Sequence, residues 1–594
     1  MFKRAGSTLN QNLRLRLRQV HTHPSSSYAF RPARRNGTAI TAASALAVGA
    51  ALWYSTTTPP VHNDAALLEK PKPVPLNNKP SDSDPLYSLV WGSNAERTLC
   101  PDMPGGEAVR SPAIAEYLNG VALRDLQLEQ THAACVDARG DVYQWGDGFI
   151  SRPLNGVHAP KLTLRGKNIV QLQLTDDKLY ALSASGRVYV LATNSLKQEY
   201  KPGAPTPSSD SWWGTGWFWG EDEAIDFAEV LPAEPFGWRE SFVSISAGKN
   251  HLLALTSKGR VFAHPINKKA NEYGQLGFRK FPIPDPESAI TKRNSHLHVD
   301  LVPKSLADPY ITSSRSVRVS SSTVPSDNLV DIDDKSIRFC PNLFEVPALK
   351  GVEIAQVAAG GRSSFARTPS GRVLGWGANE YGQIGLGSNV ALDTITVPTE
   401  VVLWRFVGNN IKSRCLNVTA GGDLTAFIVE RELDSGANTA EILMCGNGQY
   451  GGLGNNQYTN VQGNPTRVKT LSGLVQYNDR TQTLDPITPD EVAVSPTGHV
   501  LLTLNSSADS AGVGGQDLMV WGRNHESELG NGKRSNVVVP MPVQAFKDQE
   551  RFMLTSRKAQ VKDLHGHVWK RHVKVKQQLV AGHASSVVYW KIEK

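Results

Sequence analysis

The chain has 594 residues and a formal net charge of +8. It is longer than one average domain. The excess positive charge lies at the N-terminus, because residues 1–63 hold eight Lys or Arg and no Asp or Glu. The other 55 basic and 55 acidic residues balance, which argues against a nucleic-acid-binding surface along the chain. No nucleic-acid partner is therefore expected.

Residues 1–36 have the acid-free, Arg- and Ser-containing composition of a mitochondrial targeting segment. On a helix, Leu9, Leu13 and Leu17 share one stripe and Arg14 lies opposite. The alternative is a disordered basic tail.

Residues 37–54 carry no charge, and as a helix they would span about 27 Å, just enough to cross a bilayer core. Arginines precede this segment, whereas Trp53 and Tyr54 end it. This arrangement predicts one transmembrane helix in the mitochondrial inner membrane, with the arginines in the matrix and the rest of the chain in the intermembrane space. The alternatives are a cleaved sorting segment, or an uncleaved presequence on a matrix protein. Residues 55–84 are rich in Pro, Ser and Thr and are predicted to form an extended linker.

A ten-residue pattern recurs along the remainder of the chain. Its clearest copy is Trp376-Gly-Ala-Asn-Glu-Tyr-Gly382-Gln-Ile-Gly385. Before each copy, a turn glycine follows a short stretch of alternating apolar residues, which indicates antiparallel strands joined by tight turns. The Trp-Gly position occurs seven times along the sequence, at Trp91, Trp145, Leu191, His264, Trp376, Cys445 and Trp521.

Seven such units predict an all-β fold, a seven-bladed β-propeller over residues 85–594. The first unit, at Trp91, has no preceding Ala-Gly strand, whereas the segment from Leu579 to Tyr589 has no following Trp-Gly strand. Each end supplies what the other lacks, so the N- and C-terminal strands are expected to pair and to close the ring. Pairing would also remove two exposed sheet edges.

These units resemble repeats of the regulator-of-chromosome-condensation family, whose pattern is an Ala-Gly-x-x-His strand, a Gly turn and Trp-Gly-x-Asn-x-x-Gly-Gln-Leu-Gly. The resemblance covers roughly residues 86–594. It implies structural roles within the repeat for nine residues: Trp91, Trp145, His251, Gly274, Trp376, Gly382, Gly451, Trp521 and His583. Leu191 and His264 depart from the pattern and mark one side of the ring as divergent.

Two irregular segments are candidates for partner binding. The connection between the third and fourth units concentrates aromatic residues, which suit a binding hot spot or a membrane interface. These candidate partner-binding residues are Trp212, Trp213, Trp217, Phe218 and Trp219. The alternative is that the rings fold back over the propeller. A polar insert at about 278–345 is either disordered or a partner-binding arm, and its composition favours disorder.

No catalytic, cofactor-binding or metal-ligating residues are predicted, and the chain is not expected to be an enzyme. Gly446–Gly451 matches a dinucleotide-binding pattern but aligns with the repeat turn and precedes no helical pattern. The five cysteines form no paired motif; Cys135 and Cys445 lie on repeat strands and are expected to be buried. His251 and His583 are expected to tie adjacent turns together rather than to bind a metal.

The targeting segment, apolar span, linker and divergent propeller together resemble fungal mitochondrial inner-membrane members of this repeat family that are needed for assembly of respiratory complex III. The resemblance implies a non-catalytic assembly factor that binds complex III subunits or assembly intermediates. It would be held to the inner membrane through one helix. Two alternatives remain: a guanine-nucleotide exchange factor with a small mitochondrial GTPase as partner, and a matrix factor for mitochondrial ribosome assembly.

Overall fold

Antiparallel β-strands make up almost all of the regular structure. The computed structural model describes residues 86–593 except 104, 151–158, 200–224, 285–295, 307–316, 320–332, 405–407, 409–410, 433–437, 479–481, 506–515 and 544–552. All of them belong to one compact unit, Pro80–Lys594. The targeting segment, the apolar span and the linker lie outside the described residues.

The strands of the first four units and of the insert come first in chain order. They are β1 (Leu89–Gly92), β2 (Val109–Ile114), β3 (Asp125–Leu128), β4 (Ala133–Val136), β5 (Val142–Trp145), β6 (Lys161–Leu164), β7 (Ile169–Leu174), β8 (Lys178–Ser183), β9 (Val188–Ala192), β10 (Phe227–Pro232), β11 (Phe242–Ala247), β12 (His251–Thr256), β13 (Val261–Pro265), β14 (Lys280–Pro284), β15 (His296–Leu301), β16 (Val317–Val319) and β17 (Asn342–Glu345).

The remaining strands are β18 (Gln356–Ala359), β19 (Ser363–Arg367), β20 (Val373–Ala378), β21 (Thr394–Glu400), β22 (Lys412–Gly421), β23 (Leu424–Glu432), β24 (Asn438–Gly448), β25 (Thr459–Arg467), β26 (Val475–Asn478), β27 (Thr483–Pro486), β28 (Thr488–Val494), β29 (His499–Asn505), β30 (Gln516–Gly522), β31 (Val537–Pro542), β32 (Met553–Leu554), β33 (Ser556–Lys562), β34 (Val568–Ala581) and β35 (Ser585–Ile592). Short 3-10 helices cover Glu116–Leu118, Ser195–Lys197, Lys304–Leu306 and Pro347–Leu349.

The strands form antiparallel sheets in a propeller-like arrangement. Sheets of four strands are β3–β6, β18–β21 and β22–β25, and β28–β31 gain β32 at β30. An eight-stranded sheet joins two four-stranded antiparallel sets, β7–β10 and β11-β12-β13-β17, through the parallel pairing of β10 with β17. The all-β prediction is thus confirmed.

The two ends of the propeller close on each other, as predicted. Strand β1 pairs antiparallel with β35, with Leu89 opposite Val588 and Gly92 opposite Ser585. The resulting sheet has the order β2-β1-β35-β34-β33. Because β34 precedes β35 and β2 follows β1, both ends of the described chain contribute strands to one sheet.

The first strand of each strand set packs against the first strand of the next. In order around the ring these are β3, β7, β11, β18, β22, β28 and β34, and β34 contacts β3 again. Turn glycines permit this approach. Gly371 has φ +86°, and an added Cβ would lie 2.8 Å from the backbone nitrogen of Cys415 in the next set. A side chain there would be strained and would collide with the neighbouring strand.

The described residues of the insert are folded, and the expectation of disorder is wrong for them. Strands β14, β15 and β16 form a three-stranded sheet, and β17 completes the fourth unit's sheet. Phe281, Ile283, Val299 and Leu301 are buried in the largest hydrophobic core cluster, together with Trp376. Alternating apolar residues within a polar stretch therefore supply enough burial to order these strands.

Candidate functional site

A central cavity of about 1380 Å³ lies inside the ring of first strands. Its walls come from β3, β7, β11, β18, β22, β28 and β34 and the turns that follow them. As each is the first strand of an equivalent sheet, the turns all meet at one end, here called the turn mouth. The opposite end lies where β34 begins, after the turn of the hairpin that it forms with β33. This end is here called the hairpin mouth.

Side-chain hydrogen bonds link neighbouring first strands around the cavity. Gln171 of β7 accepts from the backbone of Ile245 in β11 at 3.1 Å and donates to its carbonyl at 2.9 Å. Further side-chain acceptors bond to the backbone N–H of the next first strand: Asp125 to Leu172, Gln173 to Ala247, Ser246 to Ala359, Gln356 to Val418 and Glu491 to Leu579. These bonds satisfy polar groups between adjacent strands, and they hold the cavity wall in a fixed shape.

Arg362 lies at one side of the turn mouth and donates hydrogen bonds to three side chains there. Its guanidinium donates to Asp423 at 3.0 Å, to Glu380 at 2.5 Å and to the Tyr273 hydroxyl at 2.7 Å. Burial lowers the pKa of Arg362, but Asp423 and Glu380 raise it more, so the pKa lies above its ordinary value. The guanidinium thereby joins three successive units and stays charged.

Glu129 lies across the same mouth, and its carboxyl group has a raised pKa. Burial, with a smaller effect of Asp176, raises the pKa of Glu129 to about 7, although Lys249 acts in the opposite direction. His583 also lines this mouth, and burial lowers its pKa. The turn mouth therefore presents charges of both signs.

The hairpin mouth is lined by lysines and by carboxyl groups. Lys574 pairs with Glu593 at 2.7 Å, and Lys576 is bonded to Asp490. Burial raises the pKa of Glu491, which accepts from Gln578 at 2.5 Å. Trp569 lines the cavity beside these residues.

The tryptophans of the repeat lie on the third strand of their sheets and bond to the preceding unit. Each indole Nε1 donates to a backbone carbonyl of the preceding unit, at the position that Gln holds in the Gly-Gln-Leu-Gly part of the repeat. The residue at this position differs from unit to unit, and the arrangement is here called the carbonyl latch. The pairs are Trp91 with Glu528 at 2.7 Å, Trp145 with Thr98 at 2.8 Å, Trp376 with Gln275 at 2.9 Å and Trp521 with Gly452 at 2.8 Å. All four indoles are fully buried. Each of these four indoles therefore forms a hydrogen bond between two units.

Hydroxyl and imidazole groups extend two of these latches. Ser364 donates to the same Gln275 carbonyl at 2.8 Å, and its Oγ contacts His251 Nε2 at 2.8 Å. Because the single hydroxyl proton goes to the carbonyl, His251 Nε2 carries a proton and donates. Ser586 and His499 repeat this arrangement at Glu528. His251 thus contacts Ser364 of the next unit. In the last unit, Ser585 occupies the position that corresponds to His251, and His583 faces the cavity.

The loop glycines fit against the fourth strand of the next unit. Gly382 has φ +71°, and an added Cβ would lie 2.4 Å from Gly463 Cα in β25. Gly274 and Gly451 have φ +80° and +82°, and an added Cβ would approach Thr396 and Val538 to 2.8 Å. A side chain at these three positions would strain the backbone and collide with the neighbouring strand.

The divergent positions make other contacts in place of the latch. Cys445 keeps a weaker form of it, with Sγ 3.3 Å from the Gln383 carbonyl. His264 instead bonds to Tyr180 and to the Asn342 carbonyl, at 3.2 and 2.8 Å, and Leu191 packs in a hydrophobic cluster. The units before Leu191 and His264 contain no Gly-Gln-Leu-Gly sequence.

The aromatic partner-binding candidates cannot be placed: Trp212, Trp213, Trp217, Phe218 and Trp219 lie outside the described residues.

Sequence reasoning also missed a cluster of basic residues at the hairpin mouth, within 555–577. A sliding count of charge would have found it, since these residues include seven Lys or Arg and only one acid.

The described residues show no group of three or more His, Cys, Asp or Glu placed to hold a metal ion. All five cysteines are unpaired and buried, as expected for Cys135 and Cys445. Burial raises the pKa of Cys100 to about 12, so this thiol stays protonated. Within the described ranges, no helix has the length and apolar character to cross a membrane.

Two models of one type of repeat match the chain. Two family models, both described as Regulator of chromosome condensation (RCC1) repeat, match residues 370–428 and 354–383. The human "Probable E3 ubiquitin-protein ligase HERC3" is 29% identical over 203 residues, which is 34% of this chain. The chain spans only 15% of the length of that relative.

Two other proteins are similar over most of the chain. "Protein FMP25, mitochondrial" from Saccharomyces cerevisiae is 21% identical over 541 residues, covering 89% of this chain and 76% of that protein. The crystal structure of human WBSCR16 aligns with a TM-score of 0.50 and 16% identity, over 86% of this chain and 100% of that chain, which shows the fold alone. The chain therefore carries regulator of chromosome condensation (RCC1) repeats on a β-propeller fold and is a homologue of yeast FMP25.

Proposed function

We propose that the protein is a non-catalytic mitochondrial scaffold that supports assembly of respiratory complex III. It would hold a subunit or an assembly intermediate against the propeller. The observation that carries this proposal is the similarity to the mitochondrial protein FMP25 along 89% of the chain. The targeting segment, the apolar span and the linker, which together resemble an inner-membrane member of this repeat family, supply the link to complex III.

The propeller geometry suits a scaffold. We infer seven blades, with the eight-stranded sheet treated as two blades and one blade for each first strand in the ring. Terminal pairing of β1 with β35 and the carbonyl latches hold neighbouring units in fixed positions. A rigid body loses little conformational entropy when a partner binds, which favours recognition by a preformed surface.

The proposed membrane arrangement follows from the N-terminal residues. Residues 37–54 would cross the inner membrane as one helix, and residues 55–84 would hold the propeller in the intermembrane space. Tethering near membrane-bound subunits would raise their effective concentration at the propeller. Protease treatment of intact and outer-membrane-ruptured mitochondria tests this topology. Protection of the propeller after rupture of the outer membrane would place it in the matrix and refute the arrangement.

The role in assembly is tested in cells that lack the protein. Cytochrome spectra and native gels should show loss of mature complex III, while mitochondrial translation continues. Re-expression of the full chain should restore the complex. Normal complex III together with lost translation would refute the proposal and favour a role in ribosome assembly.

Nucleotide exchange is the second candidate, because RCC1 repeats form the propeller. The purified full chain would then accelerate release of labelled nucleotide from a mitochondrial GTPase. Under the scaffold proposal, release rates should stay at the rate measured without the protein.

A further inference from the structure

A basic hairpin stands at the hairpin mouth of the central cavity. It consists of residues 555–577, which include β33 and the first part of β34. Seven of these residues are Lys or Arg and one is Asp. As the chain beyond residue 63 is neutral overall, this short segment concentrates positive charge that acids elsewhere balance.

The hairpin places like charges opposite each other. Lys558 and Lys574 are directly paired across β33 and β34. Opposed like charges destabilise a sheet, so stability of the fold does not account for them. Lys574 has Glu593 as a partner, but in the part of the chain that the structure describes no ion pair joins Lys558, Lys570 or Arg571.

The opposite face of the hairpin anchors it to the propeller. Ala559, Val561, Val573 and Val575 are buried in a cluster with residues of neighbouring sheets. At the tip, Asp563 pairs with Arg139 at 3.1 Å. His565 also contacts the Tyr143 hydroxyl, at 3.1 Å between Nε2 and Oη. The basic face is therefore held in position before any partner arrives.

The position of this face limits what can bind there. Trp569, Lys574 and Lys576 line the central cavity, and Lys558 is paired with Lys574 across the same hairpin. The basic surface thus adjoins the concave wall around the cavity mouth. A flat lipid surface fits a concave wall poorly, whereas a narrow chain can enter the mouth.

The cavity chemistry favours a polypeptide over a nucleic acid. Asp125, Glu491 and Glu593 line the cavity near the lysines and would repel a phosphate backbone. Apart from Trp569, the aromatic ring in the lining is Tyr589, which is buried and offers no stacking platform. A peptide with a few carboxylates can pair with the hairpin without bringing a charge at every residue.

We propose that the basic hairpin binds an acidic polypeptide segment of a partner at the mouth of the central cavity. This inference rests on the proposed scaffold function and names the chemistry of the partner. Arg571 and the lysines of the hairpin supply the ion pairs, and the cavity receives the adjoining residues of the segment.

The test uses the purified full chain and a short fluorescein-labelled Glu-rich peptide, with binding followed by fluorescence anisotropy. The variant K558Q/K570Q/R571Q should bind at least about tenfold more weakly. The matched control K335Q/K350Q/K412Q removes the same charge from exposed lysines elsewhere and should bind like the unmodified chain. Added salt should weaken binding to the unmodified chain. Equal melting temperatures would show that the hairpin variant is folded.

Three outcomes would overturn the inference. One is equal weakening in both variants, which would reflect net charge alone. Another is tighter, hairpin-dependent binding of a single-stranded RNA oligonucleotide or of phosphatidylcholine vesicles containing cardiolipin. The third is full restoration of complex III by K558Q/K570Q/R571Q in cells lacking the protein, which would leave the scaffold function standing. Unchanged complex III in cells that lack the whole chain would instead refute the scaffold function, whatever the peptide measurement shows.

Discussion

The carbonyl latch that closes the ring can be tested with a double-mutant cycle. The Glu528 carbonyl accepts from Trp91 Nε1 at 2.7 Å and from Ser586 Oγ at 2.8 Å. Trp91→Phe removes the first donor and keeps most of the buried ring. Ser586→Ala removes the second, and it also takes the partner of His499. Each single variant leaves one donor at the carbonyl, whereas the double variant leaves none.

The expected costs follow from burial. A net buried hydrogen bond contributes about 1 kcal/mol, and the smaller Phe ring adds about 1–2 kcal/mol for the space left behind. Ser586→Ala should cost about 1–3 kcal/mol, because His499 loses its partner as well. The double variant should exceed the sum of the singles by about 1–2 kcal/mol, since the buried carbonyl then has no donor.

Urea denaturation of the full chain, followed by tryptophan fluorescence, gives these free energies of unfolding if the slope with urea is unchanged. Trp521→Phe serves as the matched control, because its Gly452 carbonyl has no hydroxyl donor among the described hydrogen bonds. It should therefore cost more than Trp91→Phe. Additive effects in the cycle, within about 0.5 kcal/mol, would refute the shared carbonyl.

Three further predictions concern a glycine, a histidine and a lysine. Gly382→Ala should lower the free energy of unfolding by at least about 2 kcal/mol, because its Cβ would lie 2.4 Å from Gly463 Cα. Gly532 has the same φ of +71° but nothing within 4 Å of an added Cβ, so Gly532→Ala should cost only about 1 kcal/mol. Melting temperatures of both variants check this. Burial lowers the pKa of His251 to about 3. Between its ordinary pKa and that value only the unfolded state binds the proton, so stability falls as pH falls; His251→Gln should make the stability–pH slope shallower by about 1.4 kcal/mol per pH unit, and an unchanged slope would contradict the burial argument. Burial also lowers the pKa of Lys178 from 10.5 to about 8. Between these values only the unfolded state keeps the proton, so the stability of the unmodified chain relative to Lys178→Met should rise with pH by up to about 3 kcal/mol. Denaturation at a series of fixed pH values measures this difference. A difference that does not change with pH would refute the prediction.

The repeat spacing was enough to predict the strand that carries each Trp-Gly position. Trp376 and Cys445 lie on third strands of their sheets, and so do Leu191 and His264, where the tryptophan is absent. Alternation and turn glycines are local properties, so they can be read from a short window of sequence. The closure by β1 and β35 was predictable because the two chain ends carry complementary parts of one unit.

The contacts between units were not predictable in the same way. Trp91 bonds to Glu528, which is 437 positions away, and a backbone carbonyl leaves no signature in residue type. In the insert, the polar composition hid the alternation of Phe281 and Ile283 that buries β14. Total charge likewise hid the basic hairpin, because an equal number of acids and bases lie beyond residue 63.

The carbonyl latch is the contact that distinguishes the units that keep the tryptophan from the divergent side of the ring. At Leu191 and His264 the tryptophan is missing, and the preceding units also lack the Gly-Gln-Leu-Gly sequence. The indole donor of the latch is therefore absent at both positions. His264 replaces the lost bond with contacts to Tyr180 and Asn342, so the side stays packed. Divergence there needs no partner to explain it, whereas the opposed lysines of the basic hairpin have no such structural account.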